Sequence, residues 1–235
     1  SRNQVNPHFN KYTEIENFKN YPELFAADDE VVVLEKIHGT NFRAGYVPFH
    51  ASTVWKKIKR FFGLAPAWEF VYGSHNVQLQ DKFRYNGYHS ESGNVYAEAV
   101  EKYKLREKIQ HGVVIYGEIY GDGIQKDYRY GLTVGERRVV IFDVKYDGDY
   151  IDHHRVRAYC QGRDLPHAPI EYVGPFLSRE NVKRFVDGPS VLCEDQKVRE
   201  GVVIKPVTES MTYIGRKILK LKSDEFLLKT EDDTH

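Results

Sequence analysis

The sequence has little sulfur: Cys160, Cys193 and one methionine among 235 residues. Two cysteines so far apart make neither a disulfide framework nor a zinc site with closely paired ligands. Read as buried free thiols, they fit a cytoplasmic or other reducing intracellular compartment and argue against secretion. No apolar run approaches the ~20 residues of a membrane span, and no signal peptide is visible, so no membrane partner is expected. The 10 histidines offer no two-His metal spacing on a helix. His153 and His154 are adjacent, point apart and read as surface residues. Net charge is missing too, since 34 basic residues cancel 34 acidic ones. A nucleic-acid surface would therefore have to be built from local charge.

Apolar residues make up 41% of the chain and aromatics 14%, which excludes disorder over most of its length. The length suits one domain with a substantial core and is short for two. Short β-branched runs dominate: Val31–Ile37, Phe42–Val47, Phe70–Gly73, Val113–Tyr120, Arg138–Val144, Gly201–Pro206 and Lys217–Leu221. Their composition and their Gly, Asp or Pro borders predict strands. Helices are expected after a Thr13–Glu16 capping box, over Ala97–Gln110, and over Ser178–Val186 with Gly188 as its stop. Strands do not alternate regularly with helices, so the fold class is α+β with largely antiparallel sheets flanked by helices. Residues 1–228 are expected to form the domain and 229–235 a polar tail, with Glu231–His235 frayed.

Thr53–Leu64 (TVWKKIKRFFGL) differs from its surroundings. Trp55, Ile58 and Phe62 share a helical face, and Lys56, Lys57, Lys59 and Arg60 are interleaved. Such a helix lays its aromatic stripe on the body, or reaches as a basic arm over substrate phosphates.

The chemistry-bearing residues begin with Glu35-Lys36-Ile37-His38-Gly39-Thr40-Asn41, at the end of an apolar strand. A nucleophilic lysine there would need help, because a reference pKa of ~10.4 leaves about one molecule in a few thousand neutral at pH 7. Lowering it by ~3 units means raising the cation by roughly 4 kcal/mol, which burial, neighbouring cations or a metal can supply. Cations are available. Period two puts Lys220 and Lys222 of RKILKLK on one face and Leu219 and Leu221 on the other. Glu200 and Lys205 bracket the apolar strand EGVVIKP, and Glu118 interrupts the strand core of YGEIYG beside two glycines that permit close approach.

The ordered set EKIHGTNF, YGEIYG, VIFDV, EGVVIKP and LKLKS resembles the five nucleotidyltransferase motifs of covalent polynucleotide ligases and capping enzymes. It is most similar to ATP-dependent RNA ligases of the phage RNA ligase 2 type, which include kinetoplastid RNA-editing ligases. The resemblance runs from about Phe9 to Phe226. His38 carries weight, since DNA ligases and GTP-dependent capping enzymes usually have Asp there, and GDGIQKDYRYG matches the same branch.

The resemblance implies an adenylyltransferase fold without an OB-fold or helical C-terminal domain in this chain. It implies ATP and Mg²⁺ or Mn²⁺ as cofactors, and as partner an RNA with 5′-phosphate and 3′-hydroxyl ends, with nicked duplex favoured over free single strands. Lys36 would carry AMP. Backbone groups around Glu35 and Ile37 would read the adenine edge, with His38 and Asn41 orienting the loop and phosphate. Glu118 would face the ribose and Phe142 would stack on the adenine. Asp143, on the opposite face of its strand, would serve ribose or scaffold. Glu200 would steer the metal through water, and Lys205, Lys220 and Lys222 would surround the α-phosphate. His75 stands where the family usually has Arg. Strict alternation puts Glu200 and Lys205 on opposite faces, so a bulge at Gly201 or a bend before Pro206 is required. Rival readings are a DNA-ligase-like enzyme, separable by sealing of matched RNA and DNA strands, a GTP-dependent capping nucleotidyltransferase, separable by GTP against ATP labelling, and a non-catalytic RNA-binding relative, separable by adduct formation.

Overall fold

The computed structural model describes residues 6–51, 54–79 and 94–232. The elements in chain order are β1 (Glu16–Asn17), β2 (Glu30–Glu35), β3 (Thr40–Pro48), α1 (Val54–Phe61), β4 (Trp68–Gly73), β5 (Gln78–Leu79), α2 (Val95–Lys102) and α3 (Leu105–Lys108). They continue with β6 (Val113–Gly121), β7 (Arg137–Tyr146), β8 (Asp149–Tyr150), α4 (His153–Gly162), β9 (Ile170–Pro175) and α5 (Arg179–Lys183). The chain closes with β10 (Gly201–Pro206), β11 (Met211–Thr212), β12 (Gly215–Arg216), β13 (Leu219–Lys222) and α6 (Asp224–Asp232). A six-stranded sheet has the order β5-β4-β3-β6-β7-β8 and a five-stranded sheet the order β1-β13-β10-β2-β9; β11 and β12 form a small ribbon. Every pairing between the strands named above is antiparallel except β1 with β13. The expected α+β class is what the chain adopts.

Period-two alternation decides which residues face the space between the sheets. On the six-stranded sheet, Phe42, Ala44, Ile115 and Ile119 face outward and pack with Val100, Leu105 and Val156 of the helices. On the five-stranded sheet, Val31, Val33, Val202, Ile204, Leu219 and Leu221 pack outward with Phe18 and Phe176. The inward positions are left to Val47, Val71, Val114 and Tyr116 of one sheet and Val203 of the other, with Phe9, Tyr12 and Ile218 between them. Every lysine assigned to the site sits at an inward position of the five-stranded sheet.

Several expected elements differ. Thr13 caps no helix: Asn17 does, its side chain accepting from Lys19 N at 3.0 Å ahead of a 3-10 turn over Phe18–Asn20. The helix expected over Ala97–Gln110 breaks where Lys104 enters the left-handed region at φ +50°, giving two short helices. Ser178 caps its helix as expected, through Asn181 N at 3.2 Å, but the helix ends at Lys183. His153, expected at the surface, is only 3% exposed and starts α4 beneath β7, where burial pushes its imidazole down to about 3. Helix α6 continues past the expected start of the tail at 229; the final three residues lie outside the described set, as does Thr53. The aromatic stripe of α1 does not lie on the body, for Trp55 is 74% exposed.

Candidate active site

A cleft opens between the sheets, lined by Lys36, Asn41, Glu118, Phe142, Asp143 and Lys205 among others. Its floor follows from register. Val203 pairs with Leu34 on one side and with Lys220 on the other, and the next row is Lys36, Gly201 and Lys222. Lys36 N–H donates to Gly201 O at 2.9 Å, fixing that row. Gly201 brings no side chain, so the two flanking lysines converge over it.

They converge on Glu200. Lys36 Nζ lies 2.8 Å and Lys222 Nζ 3.3 Å from the same Glu200 Oε1, while His38 Nδ1 lies 3.3 Å from Oε2. Glu200 is 3% exposed. Burial acts to raise its carboxyl, but the His38 hydrogen bond and the Lys36 and Lys222 charges outweigh that and hold it down to about 2. The alternation problem is solved at Gly201, whose φ of +145° turns the chain so that Glu200 and Lys205 serve the same side. The chain here runs so close to β13 that a Cβ on Gly201 would lie 2.0 Å from Leu221 O.

The His38 loop is braced from below. Tyr128 and Phe226 set their rings edge-on to the imidazole, both at 4.9 Å, and Tyr130 Oη accepts from His38 N at 2.7 Å. Gln125 Nε2 donates to Gly39 O at 2.8 Å. Tyr128, Tyr130 and Gln125 all belong to the GDGIQKDYRYG stretch, which in this chain thus holds the loop that follows Lys36.

The opposite wall corrects one expectation. Phe142 and Asp143 both face the cleft, because β7 slips register against β6: Tyr116 pairs with Asp143, and Gly117 with Ile141. The bulge leaves Phe142 unopposed and puts consecutive residues on one face. Phe142 meets Tyr12 edge-on at 4.9 Å. Asp143 is fully buried, bound to Lys205 Nζ at 2.7 Å, Arg216 Nη1 at 2.7 Å and the Tyr12 hydroxyl at 2.6 Å. Although burial opposes it, the Arg216 and Lys205 charges hold the Asp143 carboxyl well below the usual carboxylate range. Glu209 closes the cluster through Arg216 and, at 3.8 Å, Lys205. Lys205 thus sits in the cleft wall but is committed to carboxylates.

Glu118 lines the cleft close to Gly39. Burial pushes its carboxyl up to about 8, assisted by Glu200 and opposed by Lys36. Asn41 Oδ1 is buried in the cleft without a hydrogen-bond partner. Ile37 packs its side chain into a neighbouring cluster with Tyr120 and Val140. The Glu35 side chain points away from the cleft, as its strand parity requires; Oε2 accepts from Val191 N at 2.8 Å, and Glu35 N–H is taken by Pro169 O at 2.9 Å. Lys220 stands on the cleft face of β13 and is partly exposed. His75 is not brought in: it lies in the turn after β4, 3.5 Å from Glu14. Sequence reasoning missed Tyr12 and Arg216. Arg216 adjoins the lysine ladder and could have been suspected there; a lone tyrosine near the N-terminus gives no signal.

A family model described as RNA ligase matches residues 29–222. The chain belongs to the RNA ligase family. Among solved structures it is similar to Naegleria gruberi RNA ligase with PPi, at a TM-score of 0.70 and 18% identity over 97% of this chain and 60% of that one. Mutants of the Naegleria enzyme with ATP and Mn and with AMP and Mn each give a TM-score of 0.71, with 18% identity over 97% and 60% of the respective chains. At such identity the likeness establishes the RNA ligase nucleotidyltransferase fold. The chain spans about three fifths of the length of these structures. No curated protein matches.

Proposed function

We propose that this RNA ligase module is ATP-dependent, adenylates itself on Lys36, and seals RNA ends carrying a 5′-phosphate and a 3′-hydroxyl, with nicked duplex as the favoured substrate. The observation that carries the reading is the Glu200 carboxylate shared by Lys36, Lys222 and His38, beside the cleft that Lys36 lines. In the first step the neutral Lys36 amine attacks the α-phosphorus, the bond to pyrophosphate breaks, and the amine's surplus proton passes to solvent. Lys222 and Lys220, on the same face of β13, offset the charge gathering on the phosphate oxygens. The AMP is then passed to the RNA 5′-phosphate, restoring the free amine. Finally the 3′-hydroxyl attacks that activated phosphate and AMP leaves.

The residues present fit this nucleotide. Phe142 offers a ring face to a base, and the orphaned Asn41 Oδ1 gains a partner from a hydroxyl or amine. Glu118, protonated near neutrality, can donate as well as accept toward a ribose hydroxyl. Among the described residues no group of three or more His, Cys, Asp or Glu could cage an ion. Glu200 would therefore hold Mg²⁺ or Mn²⁺ mainly through water, where the ion would offset phosphate charge and compete with Lys36 for the carboxylate. The Naegleria structures with ATP or AMP and Mn support that cofactor pair. Lys36 thus rests against a carboxylate; of the cations expected to crowd it, Lys222 shares that same carboxylate, while Lys205 is tied to Asp143.

Intact mass after incubation with ATP and Mg²⁺ tests the reading. Wild type should gain one AMP, Lys36→Ala none, and GTP should not substitute. An adduct that survives Lys36→Ala, or none on wild type, rejects it. Sealing of matched RNA and DNA nicks on a complementary strand then defines the substrate.

A further inference from the structure

The β3–β4 hairpin carries an appendage that the site above does not use. Pro48 pairs with Trp68, and between them the chain leaves the sheet to form α1. At 100° per residue, Val54, Trp55, Ile58, Phe61 and Phe62 fall within roughly 120° of the helical wheel, with Lys57, Lys59 and Arg60 around the remainder. The apolar arc faces solvent. Trp55 is 74% exposed, Phe61 85%, Phe62 67% and Leu64 74%. An isolated helix of eight residues has too little intrinsic stability to persist on propensity alone, so this face is built to be covered.

We infer that α1 is an RNA-binding arm, which stacks unpaired bases on Trp55, Phe61 and Phe62 while Lys57, Lys59 and Arg60 hold the adjoining phosphates. The inference rests on the RNA-ligase reading for its partner. Two observations select that partner. Residues 54–64 hold several cations and no acid in a chain whose total charge is zero, so positive charge has been gathered here. The exposed apolar groups are dominated by aromatic rings, the side chains on which bases stack whatever their sequence. Strand β3 starts beside the turn after Lys36 and runs ~27 Å over its nine residues to Pro48, where the arm leaves the sheet. At that distance α1 cannot touch the reacting phosphates. It would grip a single-stranded flank of the substrate, making hold on RNA depend on what lies beyond the junction.

The chain has two tryptophans, so Trp68→Phe leaves Trp55 as the sole reporter. This variant should lose emission saturably when titrated with an unstructured single-stranded RNA oligomer, and far less with a blunt RNA duplex. Anisotropy of a labelled strand reads the remaining variants. Joint Trp55→Ala, Phe61→Ala and Phe62→Ala should weaken binding at least about tenfold. Joint Lys57→Gln, Lys59→Gln and Arg60→Gln should lower the log–log salt slope by about 2. Both variants should keep the wild-type thermal midpoint and the wild-type rate of adduct formation on Lys36. No quenching by RNA, or unchanged affinity in both variants, overturns the inference. A blue shift with phosphatidylserine vesicles and no response to RNA would overturn it in favour of a lipid surface. Quenching without an adduct would sink the ligase reading and leave the arm standing; an adduct without quenching does the reverse.

Discussion

Two carboxylates a few residues apart in space are driven in opposite directions, and each has a consequence in pH. The Glu118 carboxyl is pushed up to about 8, chiefly by burial. The native state therefore keeps a proton that the unfolded chain releases above its ordinary value near ~4.3. Stability must fall as pH rises from there toward 8 and level off above it. Glu118→Gln should flatten this dependence, gaining several kcal/mol relative to wild type at pH 9 compared with pH 5 in denaturant titrations; parallel curves would deny that Glu118 is protonated. Asp143 is the reverse case. Its carboxyl is held well below the usual range, so it stabilises the fold above ~3.9 and loses that contribution as pH falls further. Asp143→Asn leaves buried Lys205 and Arg216 short of a counter-charge and should cost about 3–5 kcal/mol at neutral pH. A loss under 1 kcal/mol would mean that Glu209 alone satisfies both cations.

At the scale of elements, strands and motifs were legible because alternation and turn chemistry are local. The lysine ladder of β13 faces as its period demands, and Leu34 and Lys36 share a parity that sends Glu35 outward. What sequence could not give were the departures from regularity. The bulge at Phe142 exists because β7 must match β6 on both sides of a slip, and nothing in VIFDV announces it. The break at Lys104 and the burial of His153 are likewise imposed by neighbours distant in sequence. His75 shows the limit of motif transfer: it occupies the right place in the chain and points to Glu14. Gly201 was suspected, and the site turns on it. Gly201→Ala would force a side chain into positive φ and against Leu221 O, costing about 3 kcal/mol or more and swinging Glu200 away from Lys36. Chemical denaturation should register the loss, and adduct formation should fall beyond what unfolding explains. A variant of native stability and rate would place the essential turn elsewhere.

At the scale of the molecule, the site belongs to neither sheet. Lys36, Lys205, Lys220 and Lys222 come from the five-stranded sheet, while Asn41, Glu118, Phe142 and Asp143 come from the six-stranded one. The link across the middle is the ion cluster of Asp143 with Lys205 and Arg216, together with the Phe9, Tyr12 and Ile218 packing. A nucleotide seated in the cleft touches both halves, so it must stabilise both at once. Lys36→Ala separates this from covalent capture, since it removes the proposed acceptor amine and leaves the walls. With ATP at a hundredfold its dissociation constant, binding adds about 2.7 kcal/mol. For a chain of this length that should raise the thermal midpoint of Lys36→Ala by ~5–10 °C as a single transition, with GTP giving a smaller shift. Calorimetry that resolved two transitions, only one of them moved by ATP, would mean that the nucleotide rests on one sheet and that the cleft between them is not its seat.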